Sequence, residues 1–210
     1  MAVQLLEEWL RKEQEKIQTS YRELNQHPLK EPDVIFIGDS IIEYYPITEL
    51  FRTSKQLVNR GIRGYTSDLL RDHIDAHVFG TAVDKIFILI GTNDIGKEIP
   101  QEQSLANLEA IFHYIGSELP LAQIKLLSIL PVNEGETYKD KVHLRSNAKI
   151  QQLNQAYQDL CARYIYADYV DVAPVLMDET GNLRAEYTTD GLHLTVAGYR
   201  TLSQELQKDL

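Results

Sequence analysis

Short, uninterrupted apolar runs alternate along the chain with longer stretches whose apolar residues recur at helical spacing. The runs are typical of strands buried on both faces of a sheet, and the periodic stretches predict helices between them. The predicted strands are Val34–Ile37, Gln56–Asn59, Lys85–Ile90, Ile124–Leu130 and Tyr169–Val172. The predicted helices are Ser67–Val78, Gln101–Leu119, Val142–Arg163 and Thr195–Leu210. This alternation predicts an α/β protein with a five-stranded parallel sheet covered by helices on both sides.

A further helix is predicted before this pattern begins. Its apolar residues fall mostly at helical spacing, with charged residues between them: Val3, Leu6, Leu10, Ile17, Tyr21 and Leu24. It should end near Pro28, because residues before a proline avoid the helical region. We expect this helix, within residues 1–30, to pack on a core of residues 31–210, the whole forming a single domain. The apolar stripe is also suited to packing on a second copy, so a homodimer stays open.

Composition excludes several classes of function. The chain has 210 residues, 43% of them hydrophobic, and a formal net charge of -10 without a cluster of basic residues, which argues against a nucleic-acid partner. That charge also mildly disfavours substrates with an anionic leaving group. No apolar run is long enough to span a bilayer, and Glu7 and Glu8 interrupt what a signal peptide would need as an apolar centre. The single cysteine, Cys161, fits a reducing compartment, so we expect a cytoplasmic protein.

Polar, glycine-bearing turns follow the first three predicted strands. They are Gly38-Asp39-Ser40, Gly61-Ile62-Arg63-Gly64 and Gly91-Thr92-Asn93-Asp94. Ligands of open parallel sheets bind beyond the carboxyl ends of the strands. The three turns should therefore meet at one edge and form a site.

The residues of these turns suit acyl transfer. A serine hydroxyl needs a histidine to remove its proton and a carboxylate to orient that histidine. Ser40 is the candidate nucleophile, and His193 and Asp190, three residues apart, are its candidate partners. The backbone amides of Ser40 and Gly64 and the side-chain amide of Asn93 would supply donors to the oxyanion of the tetrahedral intermediate.

Four blocks of sequence, in order, resemble the signature of the SGNH or GDSL-type hydrolases. They are Gly38-Asp39-Ser40, the segment 59–66 around Gly64, Gly91-Thr92-Asn93-Asp94, and Asp190-Gly191-Leu192-His193. The resemblance implies a flavodoxin-like three-layer α/β/α sandwich and a serine esterase that needs no cofactor or metal. It assigns Ser40 as nucleophile, His193 as base, Asp190 as its orienting carboxylate, and Gly64 and Asn93 as parts of the oxyanion hole.

The block Asn59-x-Gly61-Ile62-x-Gly64 and the predicted N-terminal helix look most similar to the platelet-activating-factor acetylhydrolase-like branch of that family. The expected substrate is a small acyl ester, with acetyl as the favoured acyl group. Ile41, Thr92 and Leu192 neighbour catalytic positions in the sequence, so we expect them to line a small acyl pocket. Arg63 and Tyr65 flank Gly64 where small or acidic residues are commoner in the family, which leaves the substrate open.

Three alternatives compete with this interpretation. A carbohydrate-binding or scaffold protein could keep the fold and signature without turnover. The segment Gly91–Glu98 matches a phosphate-binding loop except at its last position, where Glu98 replaces the hydroxyl that holds magnesium. His73 and His77 lie one helical turn apart and suit a metal site, although a solvated helix face is the favoured interpretation.

Overall fold

Five parallel strands form the central sheet of this computed structural model, which describes residues 2–28 and 30–210. The strands are β1 (Val34–Gly38), β2 (Leu57–Gly61), β3 (Lys85–Leu89), β4 (Gln123–Leu127) and β5 (Ala167–Val170). Their spatial order is β2-β1-β3-β4-β5, and Ile35 of β1 pairs with Val58 on one side and Ile86 on the other. This is the flavodoxin-like order, whose direction of winding reverses beside β1. The predicted fold class is confirmed.

Ten α-helices accompany the sheet in the described part of the chain. They are α1 (Ala2–Gln26), α2 (Ser40–Glu43), α3 (Ile47–Leu50), α4 (Ser67–Asp72), α5 (Ile74–His77), α6 (Thr92–Gly96), α7 (Gln101–Glu118), α8 (Lys139–Val142), α9 (Asn147–Cys161) and α10 (Val196–Leu206). Short 3₁₀ turns lie at Pro174–Leu176, Ala185–Tyr187 and Gln207–Asp209.

Apolar side chains alternate between the two faces of the sheet and build one core on each. In β1, Ile35 and Ile37 face the layer that contains α4, α5, α7 and α9, whereas Val34 and Phe36 face the layer that contains α2, α3 and α10. All five residues of β1 are buried, which explains why that strand reads as a continuous apolar run. The two cores hold the carboxyl ends of the strands in register.

Helix α1 packs against α5 and the core through Ile17 and Tyr21, and polar contacts flank these residues. Gln14 and Gln18 are buried, and Gln18 donates a hydrogen bond of 2.6 Å to the hydroxyl of Tyr65. Leu6 and Leu24 of the predicted apolar stripe are exposed, and the side chain of Val3 lies outside the described residues.

Within residues 2–28 and 30–210, no helix combines the length and apolar character that crossing a membrane requires. The division at residue 30, the cytoplasmic location and the homodimer stay predictions.

Two of the predicted helices differ from the structure in where they break or begin. The segment Ser67–Val78 breaks at His73, where the chain turns so that His77 points into the core and its Nδ1 lies 2.6 Å from the carbonyl of Arg60. The helix predicted at Val142–Arg163 begins at Asn147. The Ser146 side chain accepts a hydrogen bond from the backbone N–H of Lys149 and so caps the first turn. The segment before it forms the separate helix α8.

Candidate active site

Ser40 lies directly beyond the carboxyl end of β1, as the first residue of α2. Asp39 caps this helix, and its Oδ1 accepts a hydrogen bond of 2.9 Å from the backbone N–H of Ile41. The cap holds the sharp turn from strand to helix, so the Ser40 side chain is only 7% exposed yet faces a cavity.

A chain of hydrogen bonds joins Ser40 to two residues of the loop before α10. The Ser40 hydroxyl lies 2.9 Å from Nε2 of His193, and Nδ1 of the same ring lies 2.7 Å from Oδ2 of Asp190. Thr188 fixes the loop, since its hydroxyl donates to the carbonyl of His193 and accepts from the N–H of Gly191. The structure thus brings together all three residues that the sequence predicted as nucleophile, base and orienting carboxylate.

Hydrogen bonds at Asp190 set the state of its carboxyl group. Partial burial raises its pKa, but hydrogen bonds from the His193 ring and from the backbone N–H groups of His193 and Leu192 outweigh that effect, and the pKa lies below its ordinary value. The carboxylate therefore stays ionised near neutral pH and accepts a hydrogen bond from the N–H at Nδ1 of His193. Nε2 is left to accept from the Ser40 hydroxyl.

The predicted oxyanion donors surround the same cavity. Gly64 has a φ of +74°, in the left-handed region that glycine adopts without cost, and its turn carries the backbone to the cavity wall. Asn93 also lines the cavity; its Nδ2 donates 2.9 Å to the carbonyl of Tyr65, which leaves the second N–H of that amide for a ligand. Ser40, Gly64 and Asn93 lie around one space.

The cavity itself measures about 340 Å³ and includes only one of the three predicted substrate-binding residues. Leu192 lines it. Ile41 is 2% exposed and packs in the core beside α10, because its position on α2 points it away from Ser40. Thr92 is 3% exposed. Neither Ile41 nor Thr92 lines this cavity, and their part in an acyl pocket stays a prediction.

Five cavity residues escaped the sequence analysis as contributors to a binding site. They are Leu10, Tyr44, Arg63, Lys141 and Arg145. Leu10 carried a signal as part of the α1 stripe, and Arg63 stood out beside Gly64, but neither signal indicates contact with a ligand. The other three belong to segments without a motif, and only the tertiary fold brings them to Ser40.

Arg145 is the most integrated of these residues. Its guanidinium donates to the carbonyl of Thr92 at 3.0 Å and to Oδ1 of Asn93 at 3.0 Å. Burial lowers its pKa, but an arginine remains charged at any physiological pH. Arg145 therefore fixes which end of the Asn93 amide faces Tyr65 and the cavity.

The aromatic ring of Tyr44 forms another wall. Its centroid lies 5.6 Å from that of the His193 ring, and the Arg63 guanidinium stacks 5.5 Å from it on another side. Nε of Arg63 donates 2.8 Å to Glu43, which is itself mostly buried. The loop that bears Gly64 is thus tied to helix α2, on which Ser40 lies.

His77, one of the two histidines considered for metal binding, packs in the interior. His77 is fully buried between Tyr21 and Tyr65, so it does not lie on the solvated helix face favoured from the sequence; burial lowers its pKa to about 4. Among the described residues, no group of three or more His, Cys, Asp or Glu side chains is arranged to hold a metal ion. Glu98, the last position of the segment that resembles a phosphate-binding loop, follows α6 with a φ of +55°.

Comparison with known proteins defines the family. The model of the GDSL-like lipase/acylhydrolase family matches residues 36–201, which cover all four signature blocks. The chain belongs to the GDSL-like lipase/acylhydrolase family. As a GDSL-like protein it is a hydrolase of carboxylic esters, and the family resemblance seen in its sequence is confirmed.

Relatives of this GDSL-like hydrolase include acetylhydrolases. It is 27% identical over 205 residues to platelet-activating factor acetylhydrolase IB subunit alpha2 of Rattus norvegicus, covering 92% of this chain and 86% of the relative. It is 30% identical over 176 residues to N-acylneuraminate cytidylyltransferase of Escherichia coli O18:K1:H7, covering 83% of this chain but only 39% of that enzyme.

Two solved structures show the same fold. One, from Streptococcus pneumonia and described provisionally as a platelet activating factor, shares 60% identity and a TM-score of 0.98 over 100% of this chain and 98% of its own. The acetylxylan esterase Axe2 of Geobacillus stearothermophilus has a TM-score of 0.66 at 18% identity, over 85% of this chain and 93% of its own. The second likeness concerns the fold alone.

Proposed function

We propose that this chain is a serine esterase that cleaves small acyl esters, with acetyl as the favoured acyl group, through an acyl-Ser40 intermediate. The hydrogen-bonded series Ser40, His193 and Asp190, open to a cavity at the carboxyl edge of the sheet, carries the proposal. The name of a similar protein, platelet-activating factor acetylhydrolase IB subunit alpha2, supports the choice of acetyl.

The geometry provides a path for each proton. Oγ of Ser40 attacks the ester carbonyl while Nε2 of His193 takes its proton, and Asp190 stabilises the imidazolium that forms. The N–H groups of Ser40, Gly64 and Asn93 meet the developing oxyanion. His193 then gives its proton to the leaving alcohol, and a water molecule releases the acyl group from Ser40 by the same route.

The decisive experiment replaces the nucleophile. Ser40→Ala is expected to lower the rate of 4-nitrophenyl acetate hydrolysis to no more than about 10³–10⁴ times the uncatalysed rate. Binding and the oxyanion donors alone supply that residual acceleration. A fluorophosphonate probe should label the wild type at Ser40 and leave Ser40→Ala unlabelled. Ser117→Ala, which changes an exposed serine on α7, is the matched control and should retain both properties.

Either of two results would reject the esterase. A Ser40→Ala variant that turned over the acetyl ester at the wild-type rate would exclude Ser40 as the nucleophile. A wild-type protein that neither hydrolysed acetyl esters nor reacted with the probe would favour a carbohydrate-binding or scaffold role for the same fold.

A further inference from the structure

Three basic side chains line the cavity around Ser40, although the chain as a whole carries a net charge of -10. They are Arg63, Lys141 and Arg145, and none of the described residues that line this cavity is an aspartate or a glutamate. The charge of the lining side chains is thus opposite in sign to that of the whole protein, while the carboxylates of Glu43 and Asp190 lie behind the lining and pair with Arg63 and His193. The overall charge alone disfavoured an anionic leaving group, but the charge that a bound substrate meets is the local one.

The three cations are neutralised to different degrees. Arg63 forms an ion pair with Glu43. Arg145 donates only to neutral oxygens, those of Thr92, Val142 and Asn93, and no carboxylate of the described residues lies within 4.0 Å of it. Its charge is therefore not neutralised by a direct ion pair, although the buried carboxyl of Asp39 lies near enough to interact with it. The guanidinium lines a partly desolvated space, where an anion would gain more than in water.

Lys141 adds a second charge, with an exposed tip beside a buried neighbour. Its Nζ lies 3.9 Å from Oδ2 of Asp190, too far for a close pair, and the side chain is 58% exposed. The neighbouring Val142 is buried in the core, and Val142 and Tyr138 pack so closely on Gly191 that a Cβ there would lie 2.6 Å from Tyr138. Lys141 thus lies beside the loop that carries His193.

The position of Lys141 determines which end of a bound substrate it can contact. His193 must give its proton to the leaving alcohol, so the alcohol portion lies on the His193 side of Ser40. The oxyanion donors Gly64 and Asn93 hold the carbonyl instead. A group reached by Lys141 therefore belongs to the leaving alcohol.

We propose that Lys141, supported by Arg145, selects esters whose leaving alcohol carries an anionic group, a carboxylate or a phosphate. This inference rests on the proposed esterase function and names the substrate class of the same site. The ammonium group of Lys141 approaches the anion from the solvent side, and the guanidinium of Arg145 provides a fixed positive potential behind the oxyanion donors.

Matched acetyl esters test the inference. Methyl 3-acetoxybenzoate is neutral, 3-acetoxybenzoate carries a carboxylate at the same position, and 3-acetoxyphenyl phosphate carries a phosphate. Acetate release gives kcat/KM for each ester. The rates of the esters with imidazole correct for their intrinsic reactivity. For the wild type at low ionic strength, the corrected ratio of kcat/KM for an anionic ester to kcat/KM for the neutral ester should be about 3 to 10. The two anionic esters identify which oxyacid the site prefers.

Substitution of the lysine assigns the preference to its charge. Lys141→Gln should lower the ratio by about three- to tenfold, Lys141→Arg should restore it, and Lys141→Glu should invert it. Lys139→Gln is the matched control: Lys139 lies on the same short helix, pairs with Glu136 and does not line the cavity, so its loss should leave the ratio unchanged. Added salt should also lower the wild-type ratio, because it screens exposed charges.

The outcomes separate this inference from the esterase proposal. Equal ratios in the wild type, Lys141→Gln and Lys141→Glu would overturn the anion selectivity while Ser40-dependent hydrolysis still stood. An equal fall in the ratio in Lys139→Gln would overturn it too, since the effect would then come from surface charge in general. Loss of the dependence on Ser40 would instead reject the esterase itself.

Discussion

The guanidinium of Arg145 holds the side-chain oxygen of Asn93 at 3.0 Å, and the nitrogen of the same amide donates to the carbonyl of Tyr65. Together the two contacts orient the amide. A positive charge on the oxygen side also polarises the group, so that its remaining N–H becomes a stronger donor to an oxyanion.

Loss of Arg145 should therefore impair turnover through Asn93. We expect Arg145→Gln to lower kcat for a neutral acetyl ester by about tenfold, and Asn93→Ala to lower it by about 10²–10³, because only the latter removes an oxyanion donor. Steady-state kinetics measure both values, and the melting temperatures show whether each variant still folds.

The double variant separates positioning from a general structural effect. If Arg145 acts through Asn93, then Arg145→Gln should change kcat little in an Asn93→Ala background. Fully additive losses would contradict this and place the effect of Arg145 elsewhere.

Asp190→Asn tests the orientation of the histidine. An asparagine can keep its Oδ1 contacts with the backbone of Leu192 and His193, but its NH₂ group would face Nδ1 and favour the wrong tautomer. We expect kcat to fall by about 10³–10⁴ with little change in KM. Asp178→Asn is the control, because Asp178 accepts similar backbone hydrogen bonds in a turn that does not line the cavity. Retention of more than a tenth of the wild-type kcat in Asp190→Asn would refute the role.

The buried carboxyl of Asp39 should make stability depend on pH. Its burial raises the pKa to about 7, against 3.8 for the unfolded chain, so between these values the folded state holds the proton more often than the unfolded state. Its contribution to the free energy of unfolding is complete below pH 4 and is lost as the pH rises through 7. Asparagine at this position resembles the protonated form and avoids the loss.

Asp39→Asn should therefore gain stability over the wild type as the pH rises. We expect the difference in the free energy of unfolding between variant and wild type to increase by an amount on the order of 2–4 kcal/mol from pH 4 to pH 8. Urea denaturation at the two values measures it. A constant difference would show that the carboxyl titrates alike in both states.

A pair of glycine substitutions tests the turn that carries the oxyanion donor. Gly64 and Gly181 both have left-handed φ angles, +74° and +82°, so alanine at either should cost about 1–2 kcal/mol of stability. A Cβ at Gly64 would also lie 2.9 Å from a methyl group of Leu10, whereas nothing lies within 4 Å of one at Gly181. Only Gly64→Ala should lower kcat, by tenfold or more if its N–H moves. Equal kcat values in the two variants would contradict the assignment.

The sequence specified the sheet and the reacting residues because each depends on local order. The central strands β1 and β3 are almost entirely apolar, and the turns after them carry the signature. Helix bounds depended on subtler features: the break at His73 lets His77 become buried, and the start of α9 depends on the cap at Ser146. Neither changes the periodicity of apolar residues, so pattern alone could not locate them.

The walls of the cavity were harder to predict for a different reason. Ile41 and Thr92 are neighbours of site residues along the chain, but adjacent residues on a helix point in different directions, and both side chains turn into the interior. Lys141 and Arg145 lie about fifty positions from Asn93 in sequence, and only the tertiary fold brings all three to the same cavity. Contacts of that kind have no local signal.

Helix α1 serves two purposes with the same residues. Gln14 holds the backbone of Arg63, and the adjacent turn of the helix presents Leu10 to the cavity beside Gly64. Any change that enlarges this wall to admit a bulkier ester also loosens the attachment of the helix. Adaptation to new substrates is therefore less constrained at Tyr44 and Lys141, which line the same cavity and are more exposed to solvent.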